Sequence, residues 1–170
     1  MRKINIFFIL TGYQLTWLAC VLGEINFNEP KLGIYVGLIY LSLYFYYTHN
    51  KISFLKVSLI IAIPGYIFDS ILVYFQVYVF NSSLIFGTLP LWMFVLWMSF
   101  STLFYKVLIF FKNYKILALI LSSTLGPFTY YLGEPIGVIS INNIMVFFIL
   151  MVIFWFLLML YYLFYILKNS

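Results

Sequence analysis

Charge is scarce in this chain of 170 residues: only 8% are Asp, Glu, Lys or Arg, where a soluble domain carries about 25%. So few charges cannot cover a water-soluble globule, which excludes an enzyme dissolved in cytosol. Disorder is excluded as well, because it requires low hydrophobicity and high charge. A single cysteine, Cys20, rules out an intrachain disulfide and a cysteine-rich metal site. A single histidine, His49, leaves neither a metal cluster of the usual spacing nor a haem held by two histidines. There is no Gly-x-Gly-x-x-Gly turn, no Walker loop, no His-Glu-x-x-His and no Gly-x-Ser-x-Gly elbow. Neither a metal nor a cofactor is expected.

What is present is apolar. The chain is 66% hydrophobic and 24% aromatic, with a mean hydropathy of +1.11. The net charge is +5, but the basic residues are scattered singly and form no stripe for nucleic acid. These features define an all-α, polytopic membrane bundle, expected as a single integral domain over residues 1–170.

A hydrocarbon core of roughly 30 Å is crossed by about 20 apolar residues. Six stretches approach that length: Ile4 to Gly23, Leu32 to Tyr47, Phe54 to Val79, Gly87 to Phe110, Ile116 to Leu132 and Ile144 to Leu167. The second and fifth are short. Pro64-Gly65 and Gly126-Pro127 are expected to interrupt the third and fifth. The connecting segments are too short for an extramembrane domain, so any chemistry lies in the bilayer or at its surface.

With six spans, Arg2, Lys3, Lys51, Lys56, Lys106, Lys112, Lys115 and Lys168 all fall on one side, and Lys31 falls on the other. Short-loop Lys and Arg mark the cytoplasmic side, so both termini are expected there. Glu24, Glu29 and Glu134 then lie on the outer side. Arg2-Lys3 before an apolar run has the look of a signal peptide, and Trp17-Leu18-Ala19-Cys20 that of a lipoprotein box. The bulky Trp17 and the lack of a small-x-small site favour a retained first helix.

Polar residues fall on faces. Tyr13, Trp17, Cys20 and Glu24, flanked by Gln14, share one side of the first helix at 100° per residue. Ser58, Ala62, Gly65, Asp69 and Gln76 form a stripe on the third, and Ser123, Gly126, Tyr130 and Gly133 another on the fifth. Small and polar residues in membrane helices mark helix contacts. The sixth helix is apolar all round and is expected to face lipid.

Asp69 is the most informative residue. It is expected near mid-span, where an ionised Asp costs about 2.5–3.5 kcal/mol on insertion scales. No Lys or Arg lies at that depth, so it must be partnered by neutral groups, hydrated or protonated. Gln14, Ser122, Ser123, Thr124 and the indole of Trp97 are the neutral candidates. The plain alternative is a structural hydrogen-bond hub. Glu24 and Glu134 each close a Leu-Gly-Glu sequence, at residues 22–24 and 132–134. They are read first as ordinary solvated helix ends, and secondly as a cation-binding or acid–base pair. His49 is read as solvated, Cys20 as a small core residue, and most aromatics as interface belts.

Three ordered stretches carry a resemblance. They are Tyr13-Gln14-Leu15-Thr16-Trp17 through Cys20-Val21-Leu22-Gly23; Pro90-Leu91-Trp92 with Leu96-Trp97 and Phe100; and Gly126-Pro127-Phe128-Thr129-Tyr130-Tyr131-Leu132-Gly133 followed by Gly137. With an Asp in the third helix, they resemble a small family of bacterial inner-membrane proteins known only as a domain of unknown function. The resemblance implies a multi-pass protein of the bacterial inner membrane and no particular activity. It also implies genes near those for cyclopropane-synthase-like methyltransferases and flavin-linked oxidoreductases, hence fatty-acyl or envelope-lipid metabolism. By motif match, Gln14, Trp17, Asp69, Trp92, Trp97, Pro127 and Tyr130 are the positions of interest.

The expected site is a polar pocket in the outer half of the bilayer, with Gln14, Trp17, Asp69, Trp97, Pro127 and Tyr130 binding a hydrophobic or lipid-like small molecule. Membrane lipids are the expected surroundings. The alternatives are an intramembrane lipid-modifying enzyme using Asp69 or Glu134 as acid–base, and a subunit that scaffolds a membrane protein partner.

Overall fold

The computed structural model describes residues 6–166. Arg2, Lys3 and Lys168, which contribute to the charge bias, lie outside them, as do the outermost residues of the first and sixth expected spans. Helix α1 runs Ile6–Ile25, α2 Leu32–Tyr47 and α3 Lys51–Tyr74. Strand β1 (Tyr78–Phe80) follows, then the hairpin strands β2 (Ile85–Phe86) and β3 (Leu89–Pro90), and α4 (Leu91–Lys106). A 3-10 turn over Leu108–Asn113 leads to α5 (Lys115–Tyr131), the one-turn α6 (Gly133–Ile136), strand β4 (Ile139–Ile141) and α7 (Ile144–Tyr161), which widens into a π turn over Tyr162–Ile166.

Each expected span therefore holds one long helix, and the second has the bounds read from sequence. Among the described residues, four helical stretches are long and apolar enough to cross a membrane: Ile6–Ile25, Lys51–Tyr74, Lys115–Ile136 and Ile144–Phe164. Helices α2 and α4 have 16 residues each, about 24 Å of rise.

Two expectations need correction. Pro64 and Pro127 lie inside α3 and α5, and both helices run on through them. Each proline removes one backbone donor, but membrane helices tolerate that where neighbours re-satisfy the carbonyl. The third helix also ends at Tyr74 and not near Val79. Gln76 takes a left-handed conformation at φ 53°. Its N–H then reaches Val73 O at 2.9 Å, and the Val77 N–H reaches Leu72 O at 2.9 Å. This pair of bonds is a Schellman stop, with Gln where Gly is usual.

The chain folds as two compact units. One takes in everything described up to Ile67 together with Ser82–Val107. Here α1, α2 and α4 pack on one another, with a hydrophobic core of Ile9, Tyr40, Tyr44 and Phe54. The Tyr44 and Phe54 rings lie 4.8 Å apart. Tyr40 shares a hydrogen bond with the Thr102 hydroxyl at 2.7 Å, tying α2 to α4. Close approach depends on glycine. A Cβ on Gly65 would stand 2.5 Å from the Trp97 ring, so the indole lies flat on bare backbone.

The other unit comprises Phe68–Asn81 and everything described from Leu108 onward. Its helices α5 and α7 pack face to face, with the Trp155 ring seated on Gly126. Contrary to the lipid-facing expectation, α7 buries a stripe of Phe147, Met151, Trp155, Leu158 and Met159. Its remaining faces are exposed and apolar, as that expectation required. Strands β1 and β4 pair antiparallel, setting Tyr78 opposite Ile141 and Phe80 opposite Ile139.

Candidate functional site

Asp69 sits in the second unit on the last turns of α3, five residues before the helix ends. That is about 7.5 Å from its end, off the mid-helix position expected from sequence. Its side chain is fully buried. The stripe read from sequence is borne out around it: Ser58, Ala62, Gly65 and Asp69 are all buried, whereas Gln76 is exposed at the helix stop.

Two phenols meet the carboxyl. Tyr78 donates to Oδ1 at 2.7 Å, and Tyr130 donates to Oδ2 at 2.8 Å. The left-handed turn at Gln76 brings Tyr78 back onto the helix it has just left. Tyr130 arrives from α5. The two rings meet edge to face at 6.0 Å, and Tyr78 stands perpendicular to Phe147 at 5.8 Å. Beside Asp69 in the chain, Phe68 stacks on Phe154 at 4.0 Å. Tyr78 is buried while Tyr130 is half-buried. Burial first, then the nearby Asp69 charge, holds the Tyr78 phenol well above its ordinary range.

Polar bonds around the turn hold Tyr78 in place. The Val77 carbonyl accepts from the N–H groups of Asn142 at 3.0 Å and Asn143 at 3.3 Å. The Asn142 amide donates to Gln76 O at 2.8 Å. Glu134 Oε1 accepts the Ile141 N–H at 2.9 Å, fastening β4, which in turn carries β1. Gly137, left-handed at φ 88°, lets the chain turn from α6 into that strand. Glu134 is thus half-buried and engaged, not a solvated helix end.

Glu24 differs from its expected role in the same way. In the first unit its carboxylate receives Ser82 Oγ at 2.8 Å, Ser83 N–H at 2.9 Å and the Trp92 indole N–H at 2.9 Å. It holds the loop that opens the β2–β3 hairpin. Trp92 is explained by this bond.

The sequence-derived site residues divide between the units. Asp69, Pro127 and Tyr130 belong to the second, where Asp69 and Tyr130 are bonded and Pro127 lies buried one turn before Tyr130 on α5. Gln14, Trp17 and Trp97 belong to the first. Gln14 is exposed, Trp17 half-buried, and Trp97 buried on Gly65. Ser122 and Ser123 direct their hydroxyls to Leu119 O at 3.1 and 2.7 Å, and Thr124 directs its own to Ile120 O at 2.9 Å. Such back-bonding satisfies a hydroxyl within its own helix. Tyr78 was missed by sequence reading because it was counted as the end of a span. The β-branched and aromatic run Val77-Tyr78-Val79-Phe80 before Asn81-Ser82-Ser83 was the available strand signal. Among the described residues, no group of three His, Cys, Asp or Glu gathers to hold a metal ion.

Long apolar helices of spanning length, with their acids held by neutral donors, place the chain among helical membrane proteins. Within that class it belongs to the family described as protein of unknown function (DUF2878), whose sequence model matches residues 6–161. Comparison with curated proteins and with solved structures gives no match.

Proposed function

We propose that this is a multi-pass protein of the bacterial inner membrane that binds a hydrophobic, lipid-like small molecule through the Asp69 cluster, in the outer half of the bilayer. The observation that carries this reading is the buried Asp69 carboxyl, clasped by Tyr78 and Tyr130, with one of those phenols half-buried. A structural hub needs no reachable edge; a polar group offered to a ligand does. Gln14, Trp17 and Trp97, which belong to the other unit, are retained as positions of interest on the motif resemblance alone. Membrane lipids are the natural source of such a ligand.

A second reading, an intramembrane lipid-modifying enzyme, draws support from the same feature, because a carboxyl bonded to two phenols can relay protons. Glu134 is the weaker acid–base candidate, since it accepts a backbone N–H of β4.

Lipid mass spectrometry on the purified protein, with and without Asp69→Asn, tests the first reading. A single lipid species retained by the native chain and lost in the variant is the expected result. A chain with no bound lipid that copurifies stoichiometrically with another membrane protein would replace it with the scaffold role.

A further inference from the structure

The turn that precedes α5 meets two opposed demands. Over Leu108–Asn113 the chain leaves the α-helix for a short 3-10 turn, and a break of that kind, exposed to lipid, is not tolerated inside hydrocarbon. The side chains around it are nonetheless apolar and open. Ile109, Phe110, Tyr114 and Ile116 are all exposed, Phe110 at 67% and Ile116 at 76%. Water disfavours such a patch. Only the boundary between head groups and acyl chains suits both the backbone and the side chains. The patch is also ordered: the Phe110 and Tyr114 rings lie 5.4 Å apart with planes at 29°, and Phe111 meets Phe110 edge to face at 5.6 Å.

Two cations stand in this patch. Lys112 and Lys115 are both exposed. The Lys115 ammonium lies 4.7 Å from the centre of the Phe164 ring, which steadies a long side chain and leaves its hydrogens able to donate. Helix stability does not account for Lys115, because a cation in the first turn opposes the helix dipole. Nor do acidic side chains of the same unit. Its two acids are Asp69 and Glu134. Asp69 is bonded to Tyr130 near the other end of α5, and Glu134 follows that end and accepts the Ile141 N–H. The counter-charge has to come from outside these side chains.

We propose that this turn is a seat for an anionic phospholipid, with Lys112 and Lys115 taking the phosphate head and Phe110 and Tyr114 lying against the start of the acyl chains. A soluble anion would use the lysines and leave the aromatic patch in water, whereas a lipid covers both. The seat is separate from the Asp69 cluster and does not rest on it, since about 22 Å of helix lie between Lys115 and Tyr130.

The test uses the full chain in detergent at neutral pH, titrated with dioleoylphosphatidylglycerol and, separately, with dioleoylphosphatidylcholine. These probes share their chains and their phosphate and differ in net charge. Native mass spectrometry reads the lipid retained. Phosphatidylglycerol is expected to be retained in preference. Lys112→Gln combined with Lys115→Gln should lower its retention about thirtyfold, about fivefold for each lysine, and abolish the preference. Lys31→Gln combined with Lys56→Gln removes two charges elsewhere and should leave retention unchanged. Melting curves confirm that both double variants fold, as exposed substitutions of this kind allow. Equal losses in the two double variants would mean attraction by net charge alone and overturn the seat. Equal retention of the two lipids by the native chain would overturn it as well. Glycerol 3-phosphate in excess, a head without chains, should not displace the lipid; displacement would make the turn a site for soluble anions and the proposal would fail.

Discussion

Glu24 accepts the indole hydrogen of Trp92 at 2.9 Å across 68 positions of sequence, and its other oxygen accepts the Ser83 N–H. Both oxygens thus face N–H donors that cannot reverse. Glu24→Gln must set an NH2 group against one of them, whichever way the amide is turned. The substitution is expected to cost about 1–3 kcal/mol, more than a charge-neutralising change at a solvated helix end. Thermal denaturation in detergent reads the loss. Hydrogen exchange should rise first at residues 82–86, the loop that Glu24 holds.

Asp69 behaves oppositely. Tyr78 and Tyr130 meet it through hydroxyls, which can turn from donor to acceptor. Asp69→Asn therefore keeps both bonds available, with one phenol now accepting from the amide. Tyr78→Phe leaves Oδ1 without its phenolic partner in a buried site, at a cost of about 1.5–3 kcal/mol. The melting temperature should fall further in Tyr78→Phe than in Asp69→Asn. The reverse order would mean that the carboxylate charge itself holds the fold.

The contrast between these acids also shows how far sequence could reach. Long apolar runs fixed by hydrophobicity gave the helices, because a span is a property of twenty residues at once. The buried stripe on α3 followed from the 3.6-residue period. Partners of Asp69 did not follow, because Val77 to Phe80 is an apolar run that reads equally as the end of a span. Only the left-handed Gln76 turns it into a strand, and no local rule selects Gln there. The roles of Glu24 and Glu134 were hidden for a related reason. Each accepts from residues that come near only after a hairpin or ribbon has closed.

Gly65 has a buried indole where a methyl group would go. Gly65→Ala would place its Cβ 2.5 Å from Trp97 ring atoms, inside van der Waals contact. An overpacked core costs about 1–3 kcal/mol, and that range is the expected loss. Since the clash is with the ring, Gly65→Ala combined with Trp97→Leu should be less destabilised than the two single losses added together. A double-mutant cycle on melting free energies measures this coupling, and strict additivity would show that the two residues do not share the contact.

Tyr78 gives the fold an alkaline limit. Its folded value is raised well above 10, so the folded state keeps the phenol protonated where the unfolded chain releases it. The stability this provides is complete below about pH 10, the ordinary tyrosine value, and is lost as pH rises beyond it, because the unfolded state then binds fewer protons. Melting temperature should be flat with respect to this group from pH 7 to 9 and fall above about pH 10. In Tyr78→Phe the fall should be shallower, though the starting temperature is lower.

Helices α2 and α4, at 16 residues each, are the two whose crossing most needs a direct measurement, and exposed asparagines flank them conveniently. In a Cys20→Ser background, single cysteines at Asn26, Asn50 and Asn113 can be tested with a membrane-impermeant maleimide. If α2 crosses, Asn26 and Asn50 lie on opposite sides. If α3 and α4 both cross, Asn50 and Asn113 lie on the same side. The lysine distribution predicts both results, with Asn26→Cys labelled from outside and the other two only after permeabilisation. Asn26 and Asn50 labelled together would remove α2 from the spanning set. Asn50 and Asn113 labelled from opposite faces would remove α4, since α3 is long enough to cross unaided. In that second case Lys112 and Lys115 would leave the cytoplasmic side, and the charge bias would no longer indicate how the Asp69 cluster is oriented in the bilayer.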